Sequence, residues 1–448
     1  MTYTEFKEVV AAAAKKAGLQ DYELYCVEDE AVTISAYQME VESFSNTIDS
    51  GVCFRCIVNG RMGYASTELF DEEQAEELVR RAVENAKTIE NSDPVFLHGA
   101  GDTYKEVPSF TETLPTAEEA IPFLLDCQRQ TYDADPRVCD GTVSSFSAMR
   151  TTTRLTNSRG LDLENTSGFH FGYIQPVMEE GGEKFASLDY RVGRLASMDS
   201  TELAKSAVKE TAGTIGAEIA ESGKYTIVLS PDTTASLLDI FADVFTSDNA
   251  QKGLSLLKGK EGEKIAADCV TLIDDPFCED SFIQVSFDAE GVATRTKNVV
   301  ENGILKTLLY NLSTAAKENR ESTGNAFKAS CASSVEIAPY SFYLKPGEIT
   351  KEELLRQVGT GIYITEMNGG HAGANAVTGD FSLQSAGFLI ENGELGRPVH
   401  GFTVADNFFE LLKKITCVAG DLKFTIPSGF TVFGGSSVAV TDVSIAGK

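Results

Sequence analysis

Three of the four Asn-Gly dipeptides constrain the fold of this chain more than any other local feature. They are Asn59-Gly60, Asn302-Gly303 and Asn392-Gly393, and each stands between short runs of β-branched and aromatic residues. Asn-Gly readily supplies the positive φ angles that a two-residue turn requires, so each dipeptide predicts an antiparallel hairpin. The last two hairpins look alike, which fits either an internal repeat or two ordinary hairpins. The sequence therefore favours sheets of hairpin-linked strands over a regular alternation of strands and helices.

Helical patterns are concentrated before residue 222. Apolar periodicity, with Asp71 as a cap for the second helix, predicts helices over 6–16, 72–89, 116–132 and 200–220. One more helix is expected over 233–245, and strands dominate after it. Ser222-Gly223 is the preferred domain boundary. We thus expect an α+β protein, with an N-terminal mixed α/β domain over 1–222. A strand-rich C-terminal domain of mainly antiparallel sheet would follow over 223–448.

Charge and composition exclude several function classes. The chain has 67 acidic and 38 basic residues and a net charge of −29, which disfavours direct binding to nucleic acid or anionic membranes. No apolar run approaches the roughly 20 residues that a membrane-spanning helix needs. The N-terminus does not resemble a secretory signal, and the nine cysteines are scattered and odd in number. These features predict a cytoplasmic protein with reduced thiols.

The sequence contains no local catalytic constellation. Nucleophile elbows and phosphate-binding loops are absent, and no two of the four histidines lie close enough in sequence to form a local ligand pair. His371 lies between glycines that let the backbone approach a ligand, although an exposed loop explains it equally well. Asp239 and Asp243 share one face of the helix expected over 233–245. Such a pair could bind a hard cation or simply be solvated.

A series of motifs in the second half carries a family resemblance. In order, these are residues 287–292, 301–303, 322–326, 359–367, 378–382 and 386–393. Their identity and order resemble the TldD/PmbA family of bacterial peptidase-related proteins. The first half resembles the family more diffusely, for example at 50–55 and 60–66.

The resemblance also implies where a zinc site would lie. TldD-type chains carry an H-E-x-x-x-H helix after the first strand of the C-terminal domain, and a late cysteine. Here the corresponding positions fall near Asp239, Ile240, and Asp243 or Val244, and no cysteine follows Cys417. The chain therefore resembles the PmbA (TldE) branch, which lacks the metal site. We expect no catalytic residue, metal or cofactor in this chain, and zinc in a TldD-type partner.

The resemblance also selects candidate substrate-facing residues and partners. The candidates are Asp288, Glu290, Thr323, Gly324, Asn325, His371, Thr378, Gly379 and Asp380. The favoured hypothesis is a non-catalytic subunit of a heterodimeric zinc metallopeptidase that acts on unfolded peptides. The family name, modulator of DNA gyrase, implies a link to gyrase, which the acidic charge suggests is indirect.

Two alternatives stay open, and with them the question whether the chain is an enzyme by itself. One is an independent hydrolase with an unrecognised metal or acid site around Asp239, Asp243, Asp288, Glu290 and His371. The other is a structural or binding protein that forms a homodimer or larger homo-oligomer.

Overall fold

The first half of the chain is organised around one six-stranded antiparallel sheet. A computed structural model describes residues 1–90 and 94–448. The strands of this half are β1 (Tyr22–Tyr37), β2 (Glu40–Val58), β3 (Arg61–Thr67), β4 (Val143–Asn157), β5 (Asp162–Gln175), β6 (Val177–Glu180), β7 (Glu183–Ala186) and β8 (Asp189–Gly193). They pair in the order β3-β2-β1-β4-β5-β8, while β6 and β7 form a separate hairpin.

Helices cover one face of this sheet. They are α1 (Tyr3–Lys16), α2 (Glu72–Thr88), α3 (Ala117–Ala134) and α4 (Ser200–Thr214). At the start of each helix, a side-chain oxygen of the cap residue accepts a backbone N–H of the first turn. The caps are Thr2, Asp71, Thr116 and Asp199. Helices α1 and α2 pack on Leu24 and Phe54, and α3 packs on Ile34. On the opposite face, Tyr25 contacts Phe287 of the second half, so the sheet lies between its helices and the rest of the chain.

The second half contains fifteen strands and six helices among the residues described. The strands are β9 (Glu218–Ile219), β10 (Gly223–Leu229), β11 (Leu272–Asp274), β12 (Lys297–Glu301), β13 (Ile304–Leu305), β14 (Ala326–Phe327), β15 (Glu336–Ile337), β16 (Ser341–Leu344), β17 (Gly361–Asn368), β18 (Asp380–Glu391), β19 (Glu394–Asn407), β20 (Ile415–Val418), β21 (Lys423–Phe424), β22 (Val432–Gly435) and β23 (Val438–Ala446). The helices are α5 (Pro231–Phe241), α6 (Ser247–Lys252), α7 (Leu312–Lys317), α8 (Lys351–Val358), α9 (Gly370–Gly373) and α10 (Phe408–Lys414).

The larger sheet of this half closes on itself. Its strand order is β20-β23-β10-β17-β18-β19-β9, and β23 also pairs with β19. The strands β23, β10, β17, β18 and β19 consequently form a closed ring, in which only β10 and β17 are parallel. A six-stranded sheet, β13-β12-β11-β16-β22-β21, and the hairpin of β14 and β15 complete the half. A large shared core, which includes Phe241, Phe342 and Phe402, joins the two larger sheets.

Most of the predicted elements are confirmed. The α+β class is correct, and the helices expected over 6–16, 72–89 and 116–132 correspond to α1, α2 and α3. The helix expected over 200–220 is wrong at its end: α4 stops at Thr214, and Gly216 follows with a φ of 76°. Residues 218–219 instead form β9, which pairs with β19. The helix expected over 233–245 is α-helical only to Phe241 and ends in a 3₁₀ turn. The division at residue 222 stays a prediction.

All three Asn-Gly turns are confirmed. Both residues of each dipeptide have a positive φ, for example 49° at Asn302 and 79° at Gly303. This is the conformation of the two-residue hairpin turn whose twist matches that of the strands beside it. Among the helices described, none is long and apolar enough to cross a membrane.

We predict that alanine at Gly303 destabilises the protein more than alanine at Gly60. A Cβ at Gly303 would lie 2.3 Å from the carbonyl oxygen of Ala266, whereas nothing lies within 4 Å of a Cβ at Gly60. Gly60→Ala should lower the free energy of unfolding by about 1–2 kcal/mol through the left-handed backbone alone. Gly303→Ala should lower it further because backbone must move. Urea unfolding of both variants checks this, and equal losses would contradict it.

Candidate functional site

Helix α5 occupies the place at which the resemblance puts a metal-binding helix. It starts directly after β10. Ser230 caps the start by accepting the N–H of Thr233, and Pro231 suits the first helical position. Leu237, Leu238 and Phe241 face the core. Asp239 and Asp243 lie on the exposed side, Ile240 is half-buried, and Val244 is buried in the 3₁₀ turn.

The loop that carries His371 packs directly against this helix. A Cβ at Gly370 would lie 2.5 Å from Cδ1 of Ile240, so the absence of a side chain permits the approach. Phe381, at the start of β18, contacts Phe241 with ring centroids 6.1 Å apart. The exposed residues His371, Thr378 and Asp380 thus belong to a segment, residues 369–381, that borders α5. The structure brings these sequence-predicted candidates together with the degenerate helix.

Hydrogen bonds hold the end of this loop. Asn407 donates from Nδ2 to the carbonyl oxygen of Thr378 at 2.8 Å and to Oδ1 of Asp380 at 2.9 Å. The hydrogen bond from Asn407 is the main cause that lowers the pKa of Asp380. Gly379, with a φ of 84°, leaves no room for a Cβ beside the ring of Phe409. Asp380 is therefore an ionised, exposed carboxylate on a fixed loop.

A polar groove of about 430 Å³ begins at the C-terminal end of α5. Asp243 and Asn249 line one side, and Asn311, Ser334 and Glu336 line the other. Partial burial raises the pKa of both Asp239 and Asp243, and the charge of Asp243 adds to the effect at Asp239. The groove carries polar groups suited to hydrogen bonding, and residues 334–337, which include β15, are part of its lining.

The other five candidates lie in the interior, away from solvent. Asp288, Glu290, Thr323 and Asn325 are all buried. Asp288 accepts the backbone N–H groups of Glu290, Val292 and Ala326 at 2.9–3.0 Å. At Gly324, whose φ is 71°, a Cβ would lie 2.7 Å from a backbone oxygen. These motifs therefore shape the backbone around residues 288–294 and 322–326, and they border no groove beside α5.

A second buried network stabilises the same region. Asp274 accepts from Nζ of Lys297 and from Nδ2 of Asn325, both at 2.8 Å. Thr323 donates to Oδ1 of Asn325 at 2.8 Å and accepts the N–H of Tyr310 at 2.7 Å. Burial lowers the pKa of Lys297, and the charge of Asp274 opposes that shift. Each buried polar group named here has a partner, as an interior requires.

Arg55 connects the two halves through buried carboxylates. Its Nε donates to Oε1 of Glu23 at 2.6 Å, and its Nη1 lies 3.5 Å from Oε1 of Glu290. None of the three residues exposes more than 5% of its surface. Glu23 also accepts from Asn157, and Glu290 accepts the N–H of Leu312. Glu290 was among the predicted candidates, but Glu23 and Arg55 were not, although a charged residue in each of two buried strands was their signal in the sequence.

The two neighbouring acids Asp288 and Glu290 titrate abnormally. Burial is the main cause that raises the pKa of Asp288 to about 7, and the charge of Glu290 adds to the rise. The three backbone N–H groups that Asp288 accepts lower the pKa and only partly offset this rise. Burial also raises the pKa of Glu290, and the Arg55 guanidinium opposes the rise. Both shifts have a structural cause that does not require a substrate.

The residues of α5 do not suit zinc. Asp239 and Asp243 supply only oxygens, and Ile240 and Val244 supply no ligand atom. Across residues 1–90 and 94–448, no three His, Cys, Asp or Glu side chains are grouped so that they could hold a metal ion. The five residues of the alternative hydrolase site are accordingly divided between the surface of α5 and the interior.

Comparisons with known proteins match the chain along most of its length. Models of the PmbA/TldA metallopeptidase domain 1, central domain and C-terminal domain match residues 22–86, 111–222 and 222–447. A metalloprotease of Methanothermobacter thermautotrophicus is 28% identical over 88% of this chain and 86% of its own length. The metalloprotease PmbA of Escherichia coli O157:H7 is 24% identical over 93% and 90%.

Two solved structures share the fold. A Thermotoga maritima protein described as a modulator of a DNA gyrase superposes with a TM-score of 0.91 and 29% identity, over 99% of this chain and 100% of that one. TldE of Thermococcus kodakarensis superposes with a TM-score of 0.89 over 98% and 99%, and at 22% identity this likeness concerns the fold alone.

We predict that Arg55→Gln lowers the free energy of unfolding by about 3–5 kcal/mol, because Glu23 and Glu290 would stay buried without a cation. Arg80→Gln is the matched control, since Arg80 forms exposed pairs with Glu77 and Glu84 on α2 and should change stability little. Urea unfolding measures both variants. Similar losses in the two would contradict the prediction.

A second prediction concerns pH. The raised pKa of Asp288 means that the native state holds this proton more tightly than the unfolded chain does. The contribution of the protonated Asp288 carboxyl to stability is then complete below about pH 4 and declines as the pH rises through about 7. The free energy of unfolding of the wild type, relative to Asp288→Asn, should fall from pH 4 to pH 7. A rise over that interval would show that the carboxylate is the favoured native form.

Proposed function

The chain belongs to the PmbA/TldD metallopeptidase family, and from this premise we propose that it is a metal-free subunit of a two-chain zinc peptidase. A TldD-type partner would supply the zinc and the residues that activate water. This chain would supply part of the wall of a chamber that accepts unfolded peptides.

Helix α5 carries the proposal. Its outward residues provide no imidazole or thiolate, and Ile240 is packed against Gly370 at the position where a TldD-type helix has its glutamate. Without that glutamate, a bound water would have no general base here. The retained α5 scaffold, with its bordering segment 369–381, supports a role in which substrate is bound and not cleaved.

The groove beside α5 suits an extended peptide. Its lining is polar and includes the strand β15. Extended peptides are recognised chiefly through main-chain hydrogen bonds. Such binding is largely independent of sequence. Unfolded segments of many proteins would therefore be acceptable.

The proposed setting is the cytoplasm, where thiols stay reduced. All nine cysteines of the chain lie in described regions and are free. Any connection with gyrase would be indirect, through cleavage of another protein, because a net charge of −29 disfavours contact with DNA.

Reconstitution tests the proposal. The chain and a TldD-type protein with the H-E-x-x-x-H helix are assayed separately and together with an unfolded fluorogenic peptide. We expect chelator-sensitive cleavage only from the mixture, with zinc bound by the partner. Chelator-sensitive cleavage by this chain alone, or full activity of the partner alone, would overturn the proposal.

A variant in the groove examines the role of this chain within the pair. Asp243→Lys should raise KM and leave kcat nearly unchanged, because the groove binds substrate but takes no part in the chemical step. Asp133→Lys makes the same charge change at an exposed position on α3 and should alter neither parameter. An effect of Asp243→Lys on kcat alone would contradict this role.

A further inference from the structure

A cleft of about 680 Å³ lies where the connector before α3 meets the second half of the chain. Residues 96–103 form one wall, and residues 292–295 and 312–322 contribute the other. It shares no lining residue with the groove that begins at Asp243, so the two are separate. Its volume lies within the range of small-molecule sites.

Both walls of the cleft are held in place by hydrogen bonds. Oδ2 of Asp102 accepts the N–H of Ala293 at 2.9 Å and lies 2.9 Å from Nε2 of His98. The carbonyl oxygen of His98 accepts from Nδ2 of Asn157 at 2.9 Å. The connector is thereby tied to both halves of the chain.

Two opposite charges in this cleft have no ionic partner among the residues that the structure describes. Arg295 donates only to the carbonyl oxygen of Ser322, at 2.7 Å, and no carboxylate of the described chain lies within ion-pairing distance of it. Glu321 makes no hydrogen bond or ion pair there, with Arg295 or with any other described residue. Arg320, which also lines the cleft, is by contrast paired with Glu261. Arg295 and Glu321 are both exposed, so a ligand in the cleft can reach them from solvent.

Apolar side chains lie beside these charges. Leu97, Val292, Leu312 and Ala315 line the cleft, and Phe96, which is 39% exposed, stands at its edge. A ligand that matches the cleft would carry a carboxylate, an apolar group next to it and a separate cationic or N–H donor group. A phosphate dianion matches less well because the carboxylates of Asp102 and Glu321 line the same cleft.

We propose that this cleft binds the C-terminal end of a short peptide. The peptide carboxylate would accept two N–H groups of the Arg295 guanidinium, a geometry for which arginine is suited. The last side chain would contact Leu312 and Val292, and the terminal amine would pair with Glu321. The choice of a peptide rests on the proposed function, since peptides with free carboxylates are the products of proteolysis.

A binding measurement on the isolated chain tests the cleft without the partner. The probe is a tetrapeptide of tryptophan, glycine, alanine and leucine with free termini, compared with the same peptide as its C-terminal amide. The chain has no tryptophan, so tryptophan fluorescence reports the peptide alone. We expect the free acid to bind about 10- to 100-fold more tightly than the amide, as a hydrogen-bonded charge pair would give.

Four variants locate the effect. Arg295→Gln should abolish the preference for the free acid, and Arg295→Lys should restore part of it because a charge returns without the planar fork. Arg397→Gln removes an exposed arginine that is paired with Glu218, and should leave the preference unchanged. Glu321→Gln should weaken the peptide with a free amine and leave its N-acetylated form unaffected.

Equal binding of the acid and the amide to the wild type would overturn the proposal. So would an unchanged preference in Arg295→Gln when its thermal unfolding matches that of the wild type. If Arg295→Gln fails to fold, the Glu321→Gln comparison decides, and equal loss for the free and N-acetylated peptides would overturn it. Because no cleavage is measured, failure here is distinct from failure of reconstitution.

Discussion

Arg55 lies between two carboxylates that water cannot reach, and the joining of the two halves depends on it. Glu23 comes from β1, whereas Glu290 comes from a turn far along the chain. Each of these charges would be costly to bury alone, so the three residues must meet whenever the protein is folded. An ion cluster of this kind contributes less to net stability than to the choice of one arrangement over others. We infer that it favours the arrangement in which the turn carrying Glu290 faces the first sheet.

The turn at residues 288–293 makes the contacts that join the second half of the chain to the first. Asp288 fixes its backbone through three accepted N–H groups, and Tyr104 donates to the carbonyl oxygen of Gly291 at 2.7 Å. Gly291 itself, with a φ of 81°, sits against Leu155 and Leu161 of the first half. Residues of one short turn thus contact the first sheet, the connector and the interior networks. The groove at α5 and the cleft at Arg295 both take their walls from the structure that this turn supports.

Local signals in the sequence predicted the helices and hairpin turns well. They could not predict which distant strands pair. Asn302-Gly303 determines its turn by itself, and Thr116 with Glu119 determines where a helix starts. The helix after Ser200 was predicted too long because apolar periodicity continues past Gly216. In the structure, residues 218–219 instead form a strand that pairs with β19. The resemblance selected Asp288 and Glu290 as substrate-facing, and the sequence did not reveal that both are buried or that Arg55 would meet Glu290. The position of the loop that carries His371, whose Gly370 lies beside Ile240, likewise follows from the pairing of β17 with β18, which no short window encodes.

The closed ring of the second half has a consequence for how the protein is made. Strand β10 is synthesised early in this half, yet one of its two neighbours is β23, which ends at Ala446. During translation, β10 and β19 therefore keep an unpaired edge until residues 438–446 have left the ribosome. Exposed strand edges invite pairing with other chains, so this interval is when a nascent chain is most prone to aggregate. Any release of the last strand in the finished protein would recreate the same two edges.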